Sequence, residues 1–443
     1  MEFIMYKESF YNITIPYNDE VLLYNTLSNS ICRLSQEEFS TINDLFTDLE
    51  NFERLYPNIF LQMKKDGYII DKDIDELSLI RYQNRMQIFG DNRLHLTINP
   101  TLDCNLTCWY CSTEYAKASH SGRMTNETVE ALKKHIYNQI TVGRIPALHL
   151  DWFGGEPLMY FDEVIYPIAS YAQQLCKEYN VILTQHATTN AVLMNSEMMQ
   201  KMQDLGFTSF QIPIDGNEDH HNAIKFTSDK KGTFSTVIAN VNELVEKIPN
   251  VHIILRINYD KKTLYGISDI IPLISENAKK HIMVDFQKVW QVQCNEQDKR
   301  QLKKMKELFL ENGLNSEFWA YHPHQFYRCY SDKLQHYAIN YDGRVFKCTA
   351  QDYGDDKSIG KLNIDGSLSL NQGLLSQLVS QATFENERCL SCKKLPICMG
   401  PCMIRNHEAR TQGMPLPCIS ELSEYPFDAY AIELARKRGI IEA

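Results

Sequence analysis

The sequence contains no run of about 18 consecutive apolar residues, so nothing in it reads as a membrane-spanning helix. Its opening, MEFIMYKESFYN, lacks a basic segment followed by an apolar stretch, which predicts a protein that is not exported and works in the cytoplasm. Positive charge is scarce. The 45 Lys and Arg stand against 56 Asp and Glu, net −11, and phosphate backbones are bound mainly by cations, so nucleic acid is not an expected partner. Glycine (19) and proline (15) are too few for a low-complexity chain, and 44% hydrophobic residues is an ordinary globular balance. At 443 residues more than one core is expected, because single cores stop growing at about 250–300 residues.

Cysteine, by contrast, is plentiful, with thirteen residues. In a small secreted chain they would read as disulfides; in a large chain without an export signal, metal is the better reading. Ten are patterned: Cys104, Cys108 and Cys111 in one group, and Cys329, Cys348, Cys389, Cys392, Cys398, Cys402 and Cys418 in another. Cys32, Cys176 and Cys294 follow no pattern and read as small buried hydrophobes.

The organisation changes near residue 94. Before it, FYNITIPY and VLLYNTLSNSICRL read as short strands, and SQEEFSTINDLF opens a helix with Ser35 as N-cap and Glu38 as its capping-box partner. KKDGYII ends a helical run and leads towards another strand. This is a small α+β unit of winged-helix-like make-up, but residues 1–93 hold 9 Lys/Arg against 16 Asp/Glu, a sign that repels a duplex. From residue 94 the pattern repeats as strand, loop, helix. The runs 94–99, 148–153, 181–189, 209–215, 251–259 and 282–289 alternate with helical stretches such as NETVEALKKHIYNQI and FSTVIANVNELVEK, giving six βα-type units. The fold class is therefore α/β, and whether the six units close as a full barrel, curve into a partial (β/α)6 TIM-like barrel or stay an open sheet, the functional loops belong at the carboxyl ends of the strands. CNLTCWYC follows the first run, Gly154-Gly155-Glu156-Pro157 the second, Asn190 the third, and Asp215-Gly216 the fourth.

Three thiols inside eight residues with no fourth nearby ill suit zinc, which normally closes with four ligands or keeps one position for water. A [4Fe–4S] cluster takes one thiolate per iron, so three cysteines leave one iron open. With Tyr110 before the last cysteine, the CxxxCxxC of Cys104, Cys108 and Cys111 resembles the signature of the radical S-adenosylmethionine (radical SAM) superfamily, and the resemblance runs from about residue 94 to 425. It implies a radical SAM [4Fe–4S] cluster whose open iron binds S-adenosylmethionine, reductive formation of a 5′-deoxyadenosyl radical, hydrogen abstraction from substrate, and an electron donor such as flavodoxin or ferredoxin. In such a site Gly154 and Gly155 permit close backbone approach while a carbonyl and the Glu156 carboxylate accept ammonium protons. By the same resemblance Asn190 and Asp215 look like the family's ribose-side and cofactor-side positions. Pro213 stands where relatives often place Ser, and Arg256 is a candidate for the cofactor carboxylate or for a structural ion pair.

The second group, with Gly343 five residues before Cys348 and then CLSCKKLPICMGPC and Cys418, resembles the seven-cysteine SPASM extension and implies two auxiliary iron–sulfur clusters, the [4Fe–4S] type being expected. That resemblance assigns Cys389, Cys392, Cys398 and Cys418 to one, and Cys329, Cys348 and Cys402 to the other. Seven ligands for two four-iron clusters leave one iron open or supplied from elsewhere, by Cys294, His322 or His324. The expected domains are 1–93, winged-helix-like and capturing a leader peptide; 94–315, the radical SAM core; 316–425, the loop-rich auxiliary-cluster domain; and 426–443, a C-terminal helix. Such enzymes mostly modify peptides. The resemblance is to maturases of ribosomally made precursors, installing a thioether, C–C or C–O crosslink or an epimerised centre, with Cys176 or Cys294 as candidate hydrogen donors. The alternatives are a formylglycine-generating sulfatase-maturing enzyme, disfavoured by Thr349 after Cys348 and by the long stretch before Cys104, and a non-catalytic iron–sulfur carrier.

Overall fold

In a computed structural model the described residues are 5–111, 122–316, 325–380, 383–422 and 426–442. They form two compact units: residues 1–91, 318–334 and 377–443 make the first, and residues 92–317 and 335–376 the second.

The first unit is built on short antiparallel strands. Strand β1 (Tyr6–Glu8) pairs with β5 (Ile69–Asp71), and β2 (Asn12–Tyr17), β3 (Glu20–Asn25) and β4 (Ser30–Ser35) form a separate sheet in that order. Ser35 ends β4 and caps the helix Gln36–Leu45, its side chain accepting from Glu38 N while the Glu38 carboxylate accepts from Ser35 N, which satisfies two helix-end donors reciprocally. Leu23 packs with Phe52, Phe60, Met63 and Tyr68 on one side. On the other, Ile15, Leu22 and Tyr24 pack against Phe427, Tyr430 and Ala431 of the helix Phe427–Lys437, so the last helix of the chain completes the core of its first sheet.

The second unit holds one eleven-stranded sheet. β6 (Leu94–Ile98), β7 (Ala147–Trp152), β8 (Ile182–Thr188), β9 (Phe207–Ile214), β10 (His252–Tyr259) and β11 (Ile282–Lys288) run parallel in sequence order. β12 (Asn315–Ser316) extends the β11 edge in parallel, and β13 (His336–Ile339) extends the β6 edge. β14 (Arg344–Phe346), β15 (Gly360–Leu362) and β16 (Leu368–Leu370) continue antiparallel. The six parallel strands match the six apolar runs to within two residues at either end, and the unit has the α/β, partial TIM-like fold expected. Alternation explains its layering. Leu94, Leu96, Leu148, Leu150, Ile253 and Leu255 face a core shared with Val129, Leu132, Ile168 and Val241 of the helices. Strand neighbours such as His95, His149, His186, Gln211 and Arg256 point to the opposite face, which is therefore polar. Among the described residues no helix is long and apolar enough to cross a membrane.

Candidate functional site at the carboxyl rim of the parallel sheet

The site lies in the second unit, where the loop after β6 meets the turn after β7. Gly155 N donates to Thr101 O (3.1 Å) and Glu156 N to Asp103 O (2.8 Å), bonding the turn to the loop that carries Cys104. The approach is too close for any side chain. A Cβ on Gly155 would sit 2.1 Å from Asp103 O and 2.4 Å from Leu102 O; one on Gly154, whose φ is +122°, would sit 2.2 Å from Thr101 O. Backbone packing against the cysteine loop is thus the first requirement for glycine here.

Glu156 is buried at 1% exposure. Its Oε1 accepts from Thr189 Oγ1 (2.7 Å) and Leu158 N (3.1 Å), and its Oε2 from Asn190 N (2.7 Å), so the carboxylate ties the end of β7 to the end of β8. Burial pushes its pKa from 4.5 up to about 7, against the opposing pull of these three donors. Between those values the native state holds a proton the unfolded chain has released. The stability this contributes is complete below pH 4.5 and is lost as pH rises through about 7. Unfolding free energy is therefore expected to fall by on the order of 3 kcal/mol from pH 5 to pH 8. Glu156→Gln should flatten that slope and, at pH 8, cost about 1–3 kcal/mol by turning an amide N–H₂ towards a buried donor. Urea titrations of both proteins at the two pH values measure this; equal slopes would remove Glu156 as its source.

Asn190 is placed by that same carboxylate. Its Nδ2 donates to Asn105 Oδ1 (2.8 Å) and lies 3.7 Å from Cys104 Sγ, which also accepts from Leu106 N (3.4 Å). Cys108 has a different neighbour. Lys225, 4% exposed, places Nζ 3.6 Å from Cys108 Sγ, 2.7 Å from Tyr110 Oη and 3.2 Å from Asp215 Oδ2. Tyr110 Oη donates to Asp215 Oδ2 (2.6 Å) and accepts from Asn258 Nδ2 (3.2 Å). Asp215 is fully buried, and among the described residues its Oδ1 has no hydrogen-bond partner. Burial works against the Lys225 charge, yet Asp215, Tyr110 and Cys108 together hold its pKa well above the ordinary lysine value. The thiol of Cys108 is raised by burial, with Lys225 the largest opposing influence.

The structure thus gathers Cys104, Cys108, Tyr110, Gly154, Gly155, Glu156, Asn190 and Asp215 on one rim, joined by hydrogen bonds. Pro157 is buried behind it as the first residue of a short helical turn. Cys111 is partly exposed at the loop's far end, its N–H bonded to Cys108 O (3.1 Å). Arg256 lies between Pro213 and Asp285 on adjacent strands and donates from Nε to Asn258 Oδ1 (3.0 Å), one residue removed from Tyr110. The reading of the residues missed Lys225, Asn105 and Asn258. Lys225 and Asn258 carry no sequence signal beyond a polar residue near a helix or strand end, and Asn105 none beyond its place inside the cysteine loop.

No disulfide joins any of the thirteen cysteines. In the first unit Cys389, Cys392, Cys398 and Cys418 line one cavity of about 240 Å³. Cys329 and Cys402 belong to the same unit but not to the lining of that cavity, and burial raises the pKa of each thiol; they flank Asp332, whose Oδ1 accepts from Met403 N (2.8 Å) and whose carboxylate pairs with buried Arg328 (2.5 Å). Cys348 belongs to the second unit, its Sγ accepting from Ala350 N (3.3 Å). Cys176 is in the core of that unit, Cys294 packs against its margin, and Cys32 packs beside the core of the first. His322 and His324 lie outside the described residues. Among the described residues no three His, Cys, Asp or Glu side chains are grouped to hold a single metal ion.

Residues 98–262 match the Radical SAM superfamily. The chain is 25% identical over 195 residues to the Fe-coproporphyrin III synthase of Methanosarcina barkeri, a match covering 43% of each protein. It is 26% identical over 182 residues to the probable GTP 3′,8-cyclase of Methanosarcina mazei, covering 40% of this chain and 50% of that one. The chain thus spans half or less of the length of these curated relatives. Among solved structures, native anSMEcpe with bound AdoMet and Kp18Cys peptide superposes with a TM-score of 0.58 at 18% identity, over 79% of this chain and 99% of that chain, a likeness of fold.

Proposed function

We propose, on the premise that residues 98–262 form a radical SAM domain and that the chain is a radical SAM enzyme, that it matures a ribosomally made precursor peptide. The domain implies a [4Fe–4S] cluster and S-adenosylmethionine, and such a cluster, when bound, supplies the electron for reductive cleavage of that sulfonium compound. The residues present suit it. Cys104, Cys108 and Cys111 would hold it, and the sulfurs of the first two already face N–H donors from Leu106, Asn190 and Lys225, as anionic sulfur requires. Asp215 Oδ1, without a partner among the described residues, is a buried acceptor on the same rim. Because Glu156 is committed to Thr189, Asn190 and Leu158, its part in the reading is to hold the rim together, and the ammonium of the cofactor falls to backbone carbonyls of the Gly154-Gly155 turn.

The observation that carries the reading is this meeting of Cys104, Cys108, Asn190 and Asp215 on one rim. The test is direct. Anaerobically purified protein, reduced with dithionite in S-adenosylmethionine, is expected to release 5′-deoxyadenosine, and none released would overturn the proposal. Co-expression with the precursor should change the peptide's mass by a crosslink or leave an epimerised centre; turnover of a Cys/Ser-x-Pro-x-Arg peptide instead would move the assignment to formylglycine formation.

The cavity lined by Cys389, Cys392, Cys398 and Cys418 supports one auxiliary cluster. Leader capture is assigned to residues 1–93. β4 bonds to β3 alone among the described residues, so its outer edge can take an added strand. Deleting residues 1–93 would also strip Phe427 and Tyr430 of their packing, so proline substitutions test this more cleanly. Adjacent N–H groups of a strand point to opposite edges. Of Ile31→Pro and Cys32→Pro, the variant that keeps its melting temperature should bind the leader about fivefold to tenfold more weakly for one lost hydrogen bond; unchanged binding removes this role.

A further inference from the structure

Lys225 brings a full positive charge to this site as well as an N–H donor. It is a buried cation delivered to a sulfur. His221 Nε2 and Lys225 O both bond the hydroxyl of Thr233 (3.1 and 2.9 Å), Lys225 N donates to His221 O (2.7 Å), and Asp215 N bonds His221 Nδ1 (3.3 Å). The backbone beneath the lysine is therefore locked at the end of the helix Glu218–Ile224. Leu106, between Cys104 and Cys108, bridges Thr227 two residues beyond the lysine and holds the cysteine loop against it. The side chain spans from this anchor to Cys108 Sγ at 3.6 Å, with Tyr110 and Asp215 taking its remaining protons.

An ammonium is costly to bury, and an Asp–Lys pair alone does not require a thiol as third neighbour. We propose that Lys225 is a positioning residue that stabilises the reduced state of the iron–sulfur group held by Cys108, through its charge and an N–H···S hydrogen bond. The inference rests on the radical SAM reading of the site. One-electron reduction by an external donor adds one negative charge to the cluster and moves no atoms, so a fixed cation a few ångströms away favours the reduced form and raises the midpoint potential. Asp215 works in the opposite direction, but Lys225 stands between it and the sulfur.

The experiment uses the full chain loaded anaerobically with iron and sulfide, titrated potentiometrically and followed by electron paramagnetic resonance. The relevant cluster is the one whose signal changes when S-adenosylmethionine is added. Lys225→Met should lower its reduced-to-oxidised ratio at fixed potential about tenfold, a midpoint about 59 mV more negative. Lys225→Arg should restore most of the shift, and Asp215→Asn should move the midpoint the other way. An unchanged midpoint in loaded Lys225→Met overturns the proposal while leaving the functional reading standing. If that variant takes up no iron, a loaded Lys225→Gln protein with the wild-type midpoint overturns it instead. Wild-type protein without iron and sulfide would sink the functional reading itself.

Discussion

Replacing Cys104, Cys108 or Cys111 by alanine is expected to abolish 5′-deoxyadenosine release and to lower bound iron by about four atoms per chain. Three sulfurs are the smallest set that holds a four-iron cluster while leaving one iron open, and the only other cysteine in the second unit's sequence before Cys348 that lies outside the core is Cys294, packed at its margin. No substitute is within the same loop. Two controls separate this from general damage. Cys176→Ala empties a core position, so it should lower the melting temperature and leave iron unchanged. Cys389→Ala, on the cavity in the first unit, should lower iron while slow cofactor cleavage persists. Iron and sulfide analysis with product chromatography decides it. A Cys108→Ala protein that still releases 5′-deoxyadenosine would remove the rim from the chemistry altogether.

Gly155→Ala is the second large effect. The added methyl would meet two backbone carbonyls, Asp103 O at 2.1 Å and Leu102 O at 2.4 Å, and neither can swing aside as a side chain can. Relief requires the cysteine loop to move. Overpacking costs about 1–3 kcal/mol where neighbours yield, so a loss of about 3 kcal/mol or more is expected here, or about 6–12 °C in melting temperature. Gly154→Ala adds a left-handed φ of +122° to a 2.2 Å contact with Thr101 O and should be at least as severe. Gly313 isolates the backbone contribution. It has φ +80° and, among the described residues, nothing within 4 Å of the place a methyl would take, so Gly313→Ala should cost only the left-handed strain of about 1–2 kcal/mol. Thermal melts of the three variants, with iron content, make the comparison. Equal losses at Gly155 and Gly313 would show that crowding against the cysteine loop is not what the glycine serves.

Much of the fold was legible because its signals are local. LHLDW and HIILRINY alternate with period two, and that alternation is enough to place β7 and β10 and to say which residues face the helices. The Ser35 capping box was legible for the same reason, since both partners lie within four residues. The rim was legible in outline, because motifs after successive parallel strands must share one end of the sheet. Its wiring was not. Glu156 reads as a carboxylate open to a ligand, whereas three protein donors occupy it, two of them from Thr189 and Asn190 more than thirty residues away. Lys225 reads as an ordinary lysine at a helix end, and only its burial and its reach to Cys108 give it a role.

By itself, the sequence determined the order of six βα units, the cysteine spacing and the ends of the strands that carry the motifs, all of which rest on neighbours a few residues apart. The tertiary structure alone decided that residues 1–91 share a unit with 377–443, that β13 joins the open edge of β6, and that a buried lysine attends Cys108. The reason is physical. Burial, and the choice of partner for a buried charge, depend on which distant segments close over it, and no local period in the chain records that closure.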